Sequence, residues 1–343
     1  MPDLASYVAR AKQATGAYRL NYVLPRVRAP LSRATPSSGT IFILDPAWRG
    51  WILDAICREI AERIPGNHRF HYSTENVPAG RSYFIAHQNL VAPVLSNNAC
   101  VWRGRRVSWF THPSEFFISQ GQFIYALNQL HGVMFQCSLF RDQLVREGVA
   151  RERTDVLYGG ADPQRFLPHA RGRGVVGLSM AYYPRKNPDR LLELVSLLAP
   201  RRVTLLGRNW TQYPRFDRLV AQPNFTYVEA PYDEYPRYYS EMDVFVSLAQ
   251  LEGGPIPLIE AMMCNVVPVA SRTGIAPDLI RHGDNGFVFD VDAPAATIAS
   301  LVERAFHNRA DIHSTVAHLT WDRFAGRIGG WLGHAAITDS VER

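Results

Sequence analysis

The feature that most constrains the fold is a unit of short apolar run, polar turn and amphipathic stretch, repeated from Ile41 almost to the end of the chain. Ile41–Leu44, Ser82–Ala86, Val107–Phe110 and Gly132–Phe135 are runs of four or five residues, each short and apolar enough for a strand buried on both faces. Between them, Ile52–Ile64 has helical periodicity and stops before Pro65-Gly66, and Phe123–Leu130 reads as a second helix. The pattern restarts near residue 174. Val175–Leu178, Val203–Leu206, Phe225–Val228, Val244–Val246, Val266–Ala270 and Phe287–Phe289 read as strands. Pro188–Leu198, Tyr235–Met242 and Ile256–Cys264 read as helices, the last capped by Asn265. Strands alternating with helices build parallel, doubly wound α/β sheets.

With 343 residues, two such series predict two domains rather than one. The expected division is a basic arm over 1–39, a first Rossmann-like domain over 40–168 and a second over 169–318. A C-terminal helix over 319–343 would cross back to the first domain. The Pro/Arg/Gly-rich stretch 163–173 is suited to a hinge.

A formal net charge of +6 resembles a nucleic-acid binder until it is located. Arg10, Lys12, Arg19, Arg26, Arg28 and Arg33 face a single acid, Asp3, within the first 44 residues, so the arm holds +5 of the total. The balanced body is unsuited to tracking phosphates, and no nucleic-acid partner is expected. The arm itself fits contact with an anionic membrane surface; a helix packed on the body and an organelle transit segment are the other readings. No apolar run is long enough to span a bilayer, and the N-terminus lacks a signal-peptide core, so a cytoplasmic protein, peripheral on the inner face of a membrane, is expected. Cys57, Cys100, Cys137 and Cys264 form no CxxC pair and read as buried free thiols.

The chemistry concentrates in Glu252-Gly-Gly-Pro-Ile-Pro-Leu-Ile-Glu260. Gly253 and Gly254 let backbone amides approach an anion, Pro255 or Pro257 suits a first helical turn, and a helix N-terminus attracts negative charge. Glu252 in the loop and Glu260 on the helix can both accept hydrogen bonds from sugar or ribose hydroxyls. Lys186 stands between a strand and a helix in a chain whose 37 basic residues include only one other lysine, Lys12. An ammonium acts as a point charge toward diphosphate. The alternative for Lys186 is a solvated surface lysine.

These residues resemble the donor site of family-4 retaining glycosyltransferases. The match continues through Thr273–Asp278, Asp284-Asn-Gly286, Phe287–Phe289, Tyr239–Ser247 and Val156–Asp162 with Phe166, so that similarity spans about residues 132–325. The resemblance implies an α/β protein of the GT-B fold, two Rossmann-like domains facing across a cleft. It implies transfer of a sugar from a nucleotide-diphosphate sugar to a saccharide, lipid-linked or small-molecule acceptor, with retention at the anomeric carbon and no metal or other cofactor. Glu252 would touch the donor sugar, Glu260 the ribose, and Lys186, Gly253 and Gly254 the diphosphate; Arg185, beside Lys186, could add a further charge there from another direction. The sequence departs from the family at Ala181, where an arginine is expected, and at Pro255, which replaces a second glycine and has no N–H.

His112, after Val107–Phe110, matches a histidine that the family places beside the donor sugar, and His87 is a second candidate. Both also fit a structural role. Trp48-Arg-Gly-Trp51 sits where a loop touching an acceptor would lie, or is simple packing. Asp290 and Asp292 could suggest a divalent metal, but in this context a turn is expected and no metal site is predicted. Two other functions remain open: a nucleotide-sugar epimerase of the same fold, and a non-catalytic scaffold in a polysaccharide-assembly complex. A nicotinamide dehydrogenase is disfavoured because no GxGxxG follows a strand.

Overall fold

A computed structural model describes residues 37–113 and 118–334. The described chain forms two units, one running to Leu157 and resuming at Asp322, the other spanning Tyr158–Trp321. The basic arm lies outside the described residues.

The first unit holds a six-stranded, wholly parallel sheet in the order β2-β1-β3-β4-β5-β6. Its strands are β1 (Ser37–Ile43), β2 (Arg69–His71), β3 (Gly80–Ile85), β4 (Arg105–Phe110), β5 (Gly132–Phe135) and β6 (Thr154–Val156). Ile41 to Ile43, Tyr83 to Ile85 and Met134 are fully buried, as an apolar run must be when helices cover both faces. β2 and β6 are three-residue edge strands that no apolar run in the sequence announces. The helix Trp321–Leu332 packs on this unit through Phe324, whose ring centroid lies 5.4 Å from that of Trp109. Asp155 fixes it further, accepting from the Arg327 guanidinium at 2.6 Å and from the Trp331 indole at 3.0 Å.

The second unit holds β7 (Val175–Ser179), β8 (Arg202–Leu206), β9 (Phe225–Val228), β10 (Val244–Ser247), β11 (Val267–Ser271) and β12 (Phe287–Phe289). They form a parallel sheet in the order β12-β11-β10-β7-β8-β9. The stretch 163–173 lies inside this unit: Phe166 is fully buried in its core, and Asp243 accepts from the amide of Gly172 at 2.7 Å. The helix Ile256–Met263 ends as the sequence indicates. Asn265 takes a left-handed φ of 67°, its amide reaches Met262 O at 2.9 Å, and the Val266 amide reaches Ala261 O at 3.0 Å. This paired closure satisfies carbonyls that would otherwise be orphaned.

Candidate functional site

In doubly wound sheets, ligands bind beyond the carboxyl ends of the strands, at the point where the strand order reverses. In the second unit that point lies between β7 and β10, so the loops that follow them, 180–187 and 248–255, are where a ligand is expected. They do bring the predicted residues together. Pro184–Lys186 forms a single 3-10 turn, and Asn187, at φ 59°, reverses the chain into the helix Pro188–Leu197. That turn places Arg185 and Lys186 against the β10 loop. The Lys186 ammonium is ion-paired with Glu252 Oε1, and Arg185 Nη1 lies 3.3 Å from Glu252 Oε2. Arg185 also donates to Leu251 O at 2.7 Å, while the Gln250 amide donates to Arg185 O at 2.8 Å.

Lys186 and Glu252 are well sheltered, whereas the Arg185 side chain is 33% exposed. The side chains of Lys186 and Glu252 are 13% and 9% exposed. Lys186 is therefore not the solvated lysine that its type would favour. Arg185, four residues after Ala181, places a second cation beside Glu252. Behind Glu252, its amide donates to Thr273 Oγ1 at 3.2 Å. Gly274 presses against the same loop at φ 57°, where an added Cβ would sit 2.3 Å from Gly253 O and 2.7 Å from Glu252 O. A side chain at 274 would push the glycine loop out of place. Gly253 and Gly254 then lead into the helix Ile256–Met263, with Pro255 as its N-cap and Pro257 in its first turn.

Glu260 lies on that helix, 1% exposed. Its Oε1 accepts from the Tyr232 hydroxyl at 2.5 Å and its Oε2 from Tyr239 at 3.0 Å. Burial pushes its pKa up to about 7, against the opposing pull of the two phenols and the Arg165 guanidinium. The two tyrosines were not legible as site residues, because nothing in their spacing ties them to Glu260. The one available signal is Tyr239, a large polar-tipped residue on the apolar face of a short helix, which needs a buried partner for its hydroxyl.

In the first unit the strand order reverses between β1 and β3, and the aromatic candidates gather there. Trp48 follows β1 and His87 follows β3, with ring centroids 5.1 Å apart. His87 accepts from the Asn89 amide at 3.2 Å, and burial, reinforced by the nearby His112, pushes its pKa down to about 4, so it is neutral at pH 7. His112, half-buried after β4, bonds through Nδ1 to Pro113 O at 2.9 Å, and its carbonyl accepts from Gln88 at 2.8 Å. Gln88 also accepts from the Thr111 amide and so ties the ends of β3 and β4 together, a role that the sequence does not reveal.

Asp290 pairs with Arg272 at 3.0 Å at an exposed strand end, and Asp292 is exposed beside it. Among the described residues no group of three or more His, Cys, Asp or Glu side chains is placed to hold a metal ion. The four cysteines are free thiols, with Cys100 half-buried rather than buried. No helix among the described residues is long and apolar enough to cross a membrane.

Residues 165–317, nearly all of the second unit, match the family model for glycosyl transferases group 1. A search of curated protein sequences finds no match. Among solved structures, the chain resembles a glycosyltransferase from Rickettsia africae, with a TM-score of 0.68 and 12% identity over 89% of this chain and all of the other. It resembles Anabaena Alr3699/HepE, solved in complex with UDP-glucose, with a TM-score of 0.66 and 15% identity over 86% and 99% of the two chains. The lipopolysaccharide outer core galactosyltransferase WaaB gives a TM-score of 0.66 at 11% identity, again over 86% and 99%. The fold is thus α/β of the GT-B class, two Rossmann-like domains, and its second domain carries the sequence signature of group 1 glycosyl transferases.

Proposed function

We propose that the protein transfers a sugar from a nucleotide-diphosphate donor, held by its second domain, to a saccharide, lipid-linked or small-molecule acceptor, with retention of configuration. The observation that carries this reading is the sheltered Lys186–Glu252–Arg185 cluster at the strand-order reversal of the domain that matches group 1 glycosyl transferases. The solved complex of the Anabaena protein with UDP-glucose supports a nucleotide sugar as the donor class.

Glycosyl transfer passes through an oxocarbenium-like transition state, with positive charge gathering on the sugar and negative charge on the leaving diphosphate. Lys186 and Arg185 supply fixed positive charge to the leaving group, and preorganised charge of this kind is worth most in a sheltered site. Glu252 receives the hydroxyls of the transferred sugar, and Glu260 those of the ribose. Attack from the same face as the departing phosphate requires no enzymatic nucleophile. His112 is the acceptor-side residue assigned to the reacting sugar.

Incubation with radiolabelled nucleotide sugars tests the reading. Donor turnover that yields free nucleoside diphosphate is expected; interconversion of the nucleotide sugar without its release would mean an epimerase. Because two cations already serve the leaving group, EDTA should leave turnover intact. Complete loss that manganese or magnesium restores would overturn the metal-free mechanism.

Anionic membrane contact is assigned to the arm. Full-length protein should bind anionic vesicles at low ionic strength and release them as salt rises, since charges are screened beyond about 10 Å at 0.1 M. Deletion of residues 1–36 should abolish that binding and spare donor hydrolysis. Indifference of the full-length protein to anionic vesicles at every salt concentration would end this assignment.

A further inference from the structure

The cations that the proposed function assigns to diphosphate are already bonded to a carboxylate in the structure: Lys186 to Glu252 Oε1 and Arg185 to Oε2, 3.3 Å away. A diphosphate and Glu252 thus compete for the same two positive charges. The Glu252 backbone is held by Thr273 and by the close approach of Gly274, which fixes the point from which its side chain reaches the two cations. From this competition we infer that Glu252 is a specificity-determining and product-releasing residue, which makes the site favour a nucleotide sugar over the free nucleoside diphosphate. The inference rests on the donor-site reading above.

When a nucleotide sugar binds, phosphate oxygens take over Lys186 and Arg185, and the freed carboxylate gains sugar hydroxyls as donors. Its buried charge stays compensated. After transfer the sugar has gone. Glu252 is then left beside the phosphates with like charge and no hydroxyl partner, and an unpartnered buried carboxylate is costly. It regains its bonds by reclaiming Lys186 and Arg185, which weakens the hold on the diphosphate. One carboxylate therefore aids donor capture and opposes product retention, through the sugar that is present in one ligand and absent from the other.

Isothermal titration of the full-length protein and of Glu252→Gln with UDP, GDP, ADP and dTDP, and with the glucose ester of each, separates the possibilities. Glu252→Gln should bind the free diphosphate on the order of tenfold more tightly, the scale of one hydrogen bond to a charged group. Its affinity for the nucleotide sugar should change far less or fall, and product inhibition should deepen. A purely structural role for Glu252 would weaken both ligands together. Glu252→Asp keeps the charge but draws it back by one methylene, and should move the same ratio in the same direction should the glutamine variant fail to fold. An unchanged ratio of diphosphate to nucleotide-sugar affinity in a folded variant overturns the inference and leaves the donor site standing. If the wild-type protein binds none of these ligands, the donor-site reading itself fails.

Discussion

Lys186→Ala should lower the affinity for nucleoside diphosphate by about 1.5–3 kcal/mol, roughly 10- to 150-fold, the worth of a charge-assisted hydrogen bond in a sheltered site. The structure adds a second consequence. The ammonium is buried against Glu252, so its removal leaves that carboxylate to Arg185 alone, and the folded protein should lose stability as well. Breaking a buried pair typically costs about 3–5 kcal/mol, and the remaining arginine should keep the loss below that range. Lys186→Arg should also impair binding, because a planar fork cannot occupy the space of a compact ammonium without displacing Arg185 or Glu252. Calorimetric titration and thermal unfolding of the same variants separate the two effects. Unchanged diphosphate affinity in a folded Lys186→Ala protein would remove Lys186 from the site.

The second large effect belongs to Glu260. Burial raises its pKa from an ordinary 4.5 to about 7 in the folded protein, so between those values the folded chain holds a proton that the unfolded chain has released. Stability from this group is accordingly greatest below about pH 4.5 and declines as pH rises to about 7. The total is on the order of 3 kcal/mol. Glu260→Gln should remove that decline. Binding runs the other way. With Glu260 assigned to the ribose, its hydroxyls would donate to the carboxylate and favour its ionised form, so nucleotide-sugar affinity should rise between pH 6 and pH 8. A nucleotide sugar suits this test because its phosphates do not titrate in that window. Glu260→Gln should bind nucleotide sugar and free diphosphate more weakly by similar factors, since ribose is common to both, and without the pH dependence. Equal wild-type affinity at pH 6 and pH 8 would contradict the ribose assignment.

The strands that carry the sites were legible because each is a compact apolar run. Gly132–Phe135, Phe225–Val228 and Phe287–Phe289 have the same limits in sequence and structure. Arg69–His71 was not, because a three-residue edge strand with a charged first residue exists through its pairing with β1 and not through its own composition. In the site, the glycine loop and the two glutamates stood out because their spacing around a helix start has a chemical meaning. The pairing of Glu252 with Lys186 did not, since 66 residues separate them and only the adjacency of β7 and β10 brings their loops together. That pairing alters an expectation. If Glu252 met the donor sugar alone, Glu252→Gln would leave free nucleotide binding untouched; with the carboxylate bonded to both cations, it should tighten it.

Whether the second domain binds a nucleoside diphosphate through Lys186, Arg185 and Glu252 is decided by a thermal-shift titration of the wild-type and Lys186→Ala proteins in EDTA. Bound ligand raises the unfolding temperature by mass action, so UDP, GDP, ADP and dTDP sugars can be compared in one assay. At least one of these donors should stabilise the wild-type protein in a saturable manner, and Lys186→Ala should require at least tenfold more of it for the same shift. A wild-type protein that no nucleotide sugar stabilises, or a shift that survives unchanged in Lys186→Ala, would contradict this mode of binding.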